Sequence, residues 1–143
     1  MTTVAHVLQS KPQQAIFTIE PDETVLKAIS IMAEKGIGAL VVTHEDAVVG
    51  ILSERDYTRK IALMERTSFN TTVNQIMTEK VLTVTRSATV EHCLELMTDK
   101  HLRHLPIVES NKLIGLISIG DLVKAAMEDQ KKLIDQLQQY ISG

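Results

Sequence analysis

The sequence has only one cysteine, Cys93, among its 143 residues. A single cysteine excludes an internal disulfide, a Cys-x-x-Cys redox pair and a zinc site built from several thiolates. Cys93 falls in the middle of a predicted helix, among positions typical of a core face. We therefore expect its side chain to contribute to packing and not to act as a nucleophile.

Aromatic residues are also scarce, at 3% of the sequence, and the net charge is −3. A non-specific nucleic-acid-binding protein needs a basic surface and stacking aromatic rings, so this class is disfavoured. No apolar run approaches the ~20 residues that cross a membrane. Residues 1–11 lack the layout of a secretion signal. We expect a cytoplasmic protein that binds neither nucleic acid nor membrane.

An internal repeat dominates the sequence. A shift of 65 positions places residues 16–61 on residues 81–126 without a gap, and a shift of 69 places residues 2–11 on residues 71–80. The first copy therefore carries four extra residues, 12–15. This pattern predicts repeat 1 over residues 1–67 and repeat 2 over residues 68–127, each beginning with a lead-in helix, and a helical extension over residues 128–143.

Each copy has the hydrophobic pattern of a strand, a helix, two strands and a helix. The predicted strands are 16–19, 39–43 and 48–53 in the first copy, and 81–84, 104–108 and 113–118 in the second. The predicted helices are 25–35 and 90–100, followed by helices that begin near Glu54 and Gly120. Asp22 and Ser87 are the expected N-caps of the first pair of helices. The fold class is α/β, in its α+β form, with two small units packed sheet to sheet around a pseudo-twofold axis.

A Ser-x-x-Asp motif occurs at the same place in both copies, as Ser53 with Asp56 and as Ser118 with Asp121. A carboxylate accepts hydrogen bonds from the two hydroxyls of a ribose. A serine between a strand and a helix places its hydroxyl and nearby N–H groups toward an anion. The same spacing is also typical of a capping box, in which the two side chains close the first turn of a helix. Both interpretations remain open, and they are compatible.

The segments GILSERD (residues 50–56), GLISIGD (115–121) and LRHLPIV (102–108) resemble the CBS-domain family. The resemblance covers nearly the whole chain up to about residue 127, and it implies a tandem pair of CBS domains, also called a Bateman module. Such modules bind AMP, ADP, ATP, NAD(H) or S-adenosylmethionine and regulate other proteins, while some bind nothing and serve as dimerisation scaffolds. The resemblance implies ribose contacts for Asp56 and Asp121 and phosphate contacts for Ser53 and Ser118. It also implies a homodimer.

Further candidate ligand-binding residues surround the two motifs. Arginine and lysine match phosphate oxygens, small residues admit a ligand close to the backbone, and histidine can donate a hydrogen bond. The candidates are Arg55, Arg59, Lys60, Gly38, Ala39, Thr83, Arg103 and His104. A solvated helix face is the alternative for the first three, and a structural role is the alternative for His104. If the two copies face each other, Arg55, Arg103 and His104 meet in one cleft, which favours a phosphate-bearing ligand, AMP first and NAD(H), ADP or ATP next.

No catalytic constellation accompanies these candidates. The sequence contains no Walker loop and no Gly-x-Ser-x-Gly elbow, and the pair Gly36 and Gly38 precedes a strand instead of a helix. No metal site is expected. We therefore expect a regulatory module that is not an enzyme and that signals to a separate effector protein. The alternative is a ligand-free assembly module whose Ser and Asp residues only cap helices.

The last helix is predicted to run long, with a stripe of Leu133, Leu137 and Ile141. It closes over the module, packs on a second chain or binds a partner, and closure of the chain's own core or of a dimer is the commoner case.

Overall fold

A computed structural model describes residues 2–11, 16–63 and 67–142 of the chain. Its helices are α1 (Val4–Ser10), α2 (Val25–Lys35), α3 (Glu54–Tyr57) with a π-helical turn over Thr58–Ala62, α4 (Val73–Ile76), α5 (Val90–Lys100) and α6 (Ile119–Ser142). Its strands are β1 (Thr18–Ile19), β2 (Ala39–His44), β3 (Ala47–Ser53), β4 (His104–Glu109) and β5 (Lys112–Ser118). This mixture confirms the predicted fold class. The four extra residues, 12–15, lie outside the described residues.

The helices α2 and α5 have the predicted bounds, but the predicted N-caps are wrong. The caps are Thr24 and Thr89, whose hydroxyl oxygens accept hydrogen bonds from the backbone N–H groups of Lys27 (3.2 Å) and His92 (3.1 Å). An N-cap directly precedes the first helical residue, and Asp22 and Ser87 lie two positions too early for this role.

The strands form small sheets. In the first, β1 pairs in parallel with β2, and β2 pairs with β3 as an antiparallel hairpin. In the second, β4 pairs with β5. The strand predicted over residues 81–84 is wrong in extent, because only Val84 pairs, as an isolated bridge to Ile107. The hairpin turns lie at Glu45–Asp46 and at Ser110–Asn111, and all four of these residues have positive φ, as tight hairpins require.

The chain forms two compact units. The Asp56 unit comprises residues 15–82 and 110–114, and the Asp121 unit comprises residues 1–14, 83–109 and 115–143. The core of the Asp56 unit is built from residues of α2, β2, β3 and α4, including Leu40, Leu52 and Ile76. The buried residues of the Asp121 unit include Leu105, Ile107 and Ile117 from its strands and Val4 from α1.

Each lead-in helix packs on the core of the other repeat, so the lead-in helices are exchanged between the two copies. The N–H of Val4, at the start of the first lead-in, donates to the carbonyl of Ala88 in the second copy at 2.8 Å. The N–H of Val73, the repeat equivalent of Val4, donates to the carbonyl of Glu23 in the first copy at 2.8 Å. Each unit therefore combines the lead-in of one repeat with the core of the other, and the compact units cut the chain differently from the sequence repeats.

The long helix α6 extends well beyond its own unit's core. Leu122 is its one fully buried residue, whereas Leu133, Leu137 and Ile141 are 55%, 53% and 82% exposed. The stripe is therefore not packed into the core of its own unit, as far as the described residues show. None of the described helices combines the length and the apolar character that a bilayer crossing needs.

Candidate functional site

In the Asp56 unit, the Ser-x-x-Asp motif forms a capping box at the start of α3. The hydroxyl of Ser53 accepts from the N–H of Asp56 at 3.2 Å, and Asp56 Oδ2 accepts from the N–H of Ser53 at 3.0 Å. The Ser53 hydroxyl also donates to Oδ2, at 3.1 Å. The other carboxylate oxygen, Oδ1, lies 3.8 Å from the ammonium nitrogen of Lys60. The capping interpretation of this motif is confirmed.

The Asp121 unit repeats this geometry at the start of α6. Asp121 Oδ2 accepts from the N–H of Ser118 at 2.9 Å, and the Ser118 hydroxyl accepts from the N–H of Asp121 at 3.2 Å. Oδ2 also accepts from the ammonium of Lys11 at 2.9 Å. Lys11 additionally donates to the carbonyl of Leu116 at 3.2 Å. Oδ1 of Asp121 has no hydrogen-bond partner among the described residues.

A lysine therefore stands beside each motif carboxylate, and the two lysines come from different parts of the repeat. Lys60 lies in the π-helical turn that follows the motif, and it donates to the carbonyl of Ile76 in α4 at 2.9 Å. Lys11 follows α1, the lead-in of the Asp121 unit. Sequence reasoning missed Lys11, although its alignment with Lys80 in the lead-in repeat is visible in the sequence.

Burial, hydrogen bonds and nearby charges shift the pKa values of Asp121 and His104. Burial acts to raise the pKa of Asp121, but hydrogen bonds from Ser118 and the charge of Lys11 outweigh it, so the pKa of Asp121 is lowered. Burial lowers the pKa of His104, as do the charges of Arg103 and Lys11, and the charge of Asp121 offsets this only in part. His104 is therefore a neutral donor or acceptor near pH 7.

The other predicted site residues are divided between the two units. Gly38, Ala39, Arg55 and Arg59 belong to the Asp56 unit, and Thr83 and Arg103 belong to the Asp121 unit. Ala39 is buried, whereas Arg55 and Arg59 are exposed and form no ion pair within the part of the chain that the structure describes. Gly38 and Arg103 occupy equivalent positions in the two copies. Their backbone carbonyl oxygens accept hydrogen bonds from the N–H groups of Glu54 (3.1 Å) and Ile119 (2.8 Å), and these bonds hold the start of each motif helix.

A groove of about 930 Å³ runs between α1 and α6 in the Asp121 unit. Asp121 and Lys11 line it, and a hydrogen bond of 2.6 Å from the hydroxyl of Thr2, which precedes α1, to Asp129 of α6 crosses it. Its volume falls in the range of small-molecule sites. The walls carry charges of both signs, since Lys124 and Lys132 accompany Glu91 and Glu128.

Burial of His104 predicts a pH dependence of stability. Because its pKa is lowered from 6.5 in the folded chain, the unfolded chain binds more protons below that pH. The free energy of unfolding should fall as the pH drops from about 6.5 through the pKa of the folded chain. His104→Gln should flatten this part of the profile, measured by urea denaturation at successive pH values. Identical profiles for the two proteins would contradict a neutral, half-buried His104.

The chain is similar to known proteins over almost its whole length. A family model described as the CBS domain matches it twice, over residues 4–63 and 73–128. A mitochondrial CBS domain-containing protein of Arabidopsis thaliana, CBSX3, is 39% identical over 150 residues, which cover 99% of this chain and 73% of that protein.

Solved structures have the same fold. A protein with CBS domains from Burkholderia ambifaria MC40-6 is 51% identical, with a TM-score of 0.86, and the match covers 90% of this chain and 96% of that one. The structure of CBSX2, solved in complex with AMP, is 26% identical with a TM-score of 0.73, and the match covers 91% of this chain and 99% of that one.

Proposed function

This chain belongs to the CBS-domain family, and from that premise we propose that it is a regulatory module that binds an adenine nucleotide beside its motif carboxylates. AMP is the first candidate, followed by NAD(H), ADP and ATP. We further propose that the module is not an enzyme and that it acts on a separate effector protein. Its nucleotide-bound and free states would differ in their affinity for that effector.

The observation that carries this proposal is that the two oxygens of the Asp121 carboxylate differ in their contacts. Its Oδ2 is committed to the helix cap and to Lys11, while Oδ1 has no partner among the described residues. Asp121 is only partly exposed and its pKa is lowered, so it is ionised at neutral pH. The free oxygen of a partly buried, ionised carboxylate can accept a hydrogen bond from a ribose hydroxyl. The AMP complex of CBSX2, a structural relative, adds support for the choice of ligand.

The capping boxes support a second candidate function, that of a ligand-free assembly module. In this view Ser53, Asp56 and their counterparts only cap the N-terminal ends of helices, and both motifs do so in the structure. The exposed stripe on α6 would then supply the contact to another chain. The two candidates differ in what happens when a motif carboxylate loses its charge but keeps its shape.

Calorimetric titration with AMP, ADP, ATP, NADH and S-adenosylmethionine tests the choice. Asp56→Asn and Asp121→Asn keep an oxygen that can cap the helix but remove the charged acceptor. We expect wild-type protein to bind one adenine nucleotide, and we expect one of the two variants to weaken binding by about 10- to 100-fold, the scale of a hydrogen bond to a charged group. A saturating ligand at 100 times Kd should stabilise the folded chain by about 2.7 kcal/mol.

Asp99→Asn is the matched control, since Asp99 is an exposed aspartate on α5 with no hydrogen bond among the described residues. It should bind the nucleotide as the wild-type protein does. Absence of heat with all five compounds would favour the assembly module, and so would equal binding by the wild type and both motif variants.

A further inference from the structure

The ammonium group of Lys11 is largely shielded from solvent and has two acceptors on the elements that carry the motif. Its ammonium nitrogen lies 2.9 Å from Asp121 Oδ2 and 3.2 Å from the carbonyl oxygen of Leu116, and its side chain is only 21% exposed. Both acceptors belong to the strand and helix that carry the motif. The contact therefore ties the end of the lead-in segment directly to the carboxylate that we propose for the ribose.

This contact solves an electrostatic problem for an anionic ligand. An ionised carboxylate that accepts the ribose hydroxyls also repels a phosphate attached to the same ribose. Lys11 cancels that charge from the side of Oδ2, on which the helix cap also lies. It leaves Oδ1 available and keeps the carboxylate ionised, because its charge and hydrogen bond both lower the pKa of Asp121.

The Asp56 unit shows how differently the other copy is arranged. Lys80, the repeat equivalent of Lys11, is exposed and has no recorded hydrogen bond or ion pair in the described part of the chain. The cation there is Lys60, which lies 3.8 Å from Oδ1 of Asp56, on the oxygen that a ligand would use. Lys60 is also more exposed than Lys11, at 40%. Asp121 is therefore the motif carboxylate whose cation contacts the oxygen that caps the helix. Its second oxygen has no partner among the described residues.

We propose that Lys11 is a positioning residue that makes the Asp121 site selective for ribose ligands that carry phosphate over the same ligands without phosphate. This inference rests on the proposed function, because it specifies which of the two motif sites binds the nucleotide and what sets its preference. Lys11 acts through Asp121 and need not contact the ligand.

The test compares AMP with adenosine, which differ only in the phosphate. Wild-type protein, Lys11→Met and Lys11→Arg are titrated with both compounds by calorimetry. We expect Lys11→Met to lower the ratio of AMP affinity to adenosine affinity by about fivefold, the scale of one unit charge acting across several ångströms of partly solvated protein. Lys11→Arg should restore the ratio. The pKa of Asp121, followed by carboxyl ¹³C NMR, should rise in Lys11→Met and not in Lys11→Arg.

Lys80→Met is the control, because it removes the same charge from the equivalent lead-in position and should leave the ratio unchanged. A merely structural Lys11 would lower both affinities together and leave their ratio intact, which would overturn the inference. An equal drop of the ratio in Lys80→Met would do the same, since net charge would then explain it. If wild-type protein binds none of the five compounds titrated above, the proposed function fails and this inference fails with it. If it binds another of them but neither AMP nor adenosine, this inference alone fails. Binding with a ratio that Lys11→Met does not change removes the inference alone.

Discussion

Val4→Asp should destabilise the chain by about 4 kcal/mol or more, a loss comparable with the whole stability of many small domains. The side chain of Val4 is fully buried, so the new carboxylate would have no solvent and no cationic partner within the described core. The loss should appear in the second repeat instead of in the repeat to which Val4 belongs in sequence. Hydrogen exchange measures this directly, because the amide of Val90 donates to the carbonyl of Thr2 at 3.0 Å.

Two companion variants make this result specific. Gln9→Asp introduces the same charge on the exposed face of the same helix and should change stability by less than about 1 kcal/mol. Val73→Asp, at the equivalent buried position of α4, should instead expose the amide of Val25, which donates to the carbonyl of Thr71 at 2.9 Å. If Val4→Asp first deprotected residues 16–53, the exchange of lead-in helices would be wrong.

Gly50→Ala should cost about 2–3 kcal/mol, measured as the free energy of unfolding in urea. A Cβ at this position would lie 2.5 Å from Met77 Sδ and 3.1 Å from the carbonyl oxygen of Thr78. The Thr78 backbone cannot retreat easily, because its N–H and C=O both pair with Ile51, at 2.9 and 3.0 Å. The glycine of the first motif is thus required where the second lead-in segment crosses β3.

Gly115→Ala, at the equivalent position, should cost less, about 1 kcal/mol. Its Cβ would meet Leu8 Cδ2 at 2.9 Å, and the end of a leucine side chain can rotate away. Gly120→Ala is the control, since the nearest atom to its Cβ, the Ser118 hydroxyl oxygen, is 3.6 Å away, and the helix should gain slightly. Equal losses at Gly50 and Gly115 would show that backbone crowding is not the cause.

The sequence was informative wherever a local pattern decides the structure. The bounds of α2 and α5 follow from the periodicity of their apolar residues. The strand predicted over residues 81–84 was wrong in extent for a non-local reason. Its β-branched composition is typical of a strand, but pairing depends on a neighbour, and only Val84 has one there.

The arrangement of the lead-in helices could not be predicted from the repeat. A lead-in at a shift of 69 is equally compatible with packing on its own core and with packing on the core of the other copy. The geometry that decides between them is the same set of hydrogen bonds in both copies, for example those donated by Val4 and Val73. Because the two copies have the same pattern, the sequence does not indicate on which core each lead-in helix packs.

The sequence predicted the capping geometry of the two motifs but not the contacts of the lysines beside them. The Ser-x-x-Asp motifs follow from their duplication, and the capping geometry was one of two interpretations of their spacing. Lys11 was missed because its contact with Asp121 joins positions from opposite ends of the chain, and no local pattern encodes such a pair. The predicted meeting of Arg55, Arg103 and His104 in one cleft remains a prediction.

The exchanged lead-ins also affect how the protein is made. During synthesis α1 emerges well before the residues that receive it, among them Ala88, which follow only after most of the other unit. At translation rates of roughly 5–20 residues per second, α1 waits on the order of 5–15 s without its binding site. During this interval Val4 and Val7 are exposed to chaperones and to neighbouring nascent chains. The second lead-in avoids this delay, because it follows directly on the core that it completes.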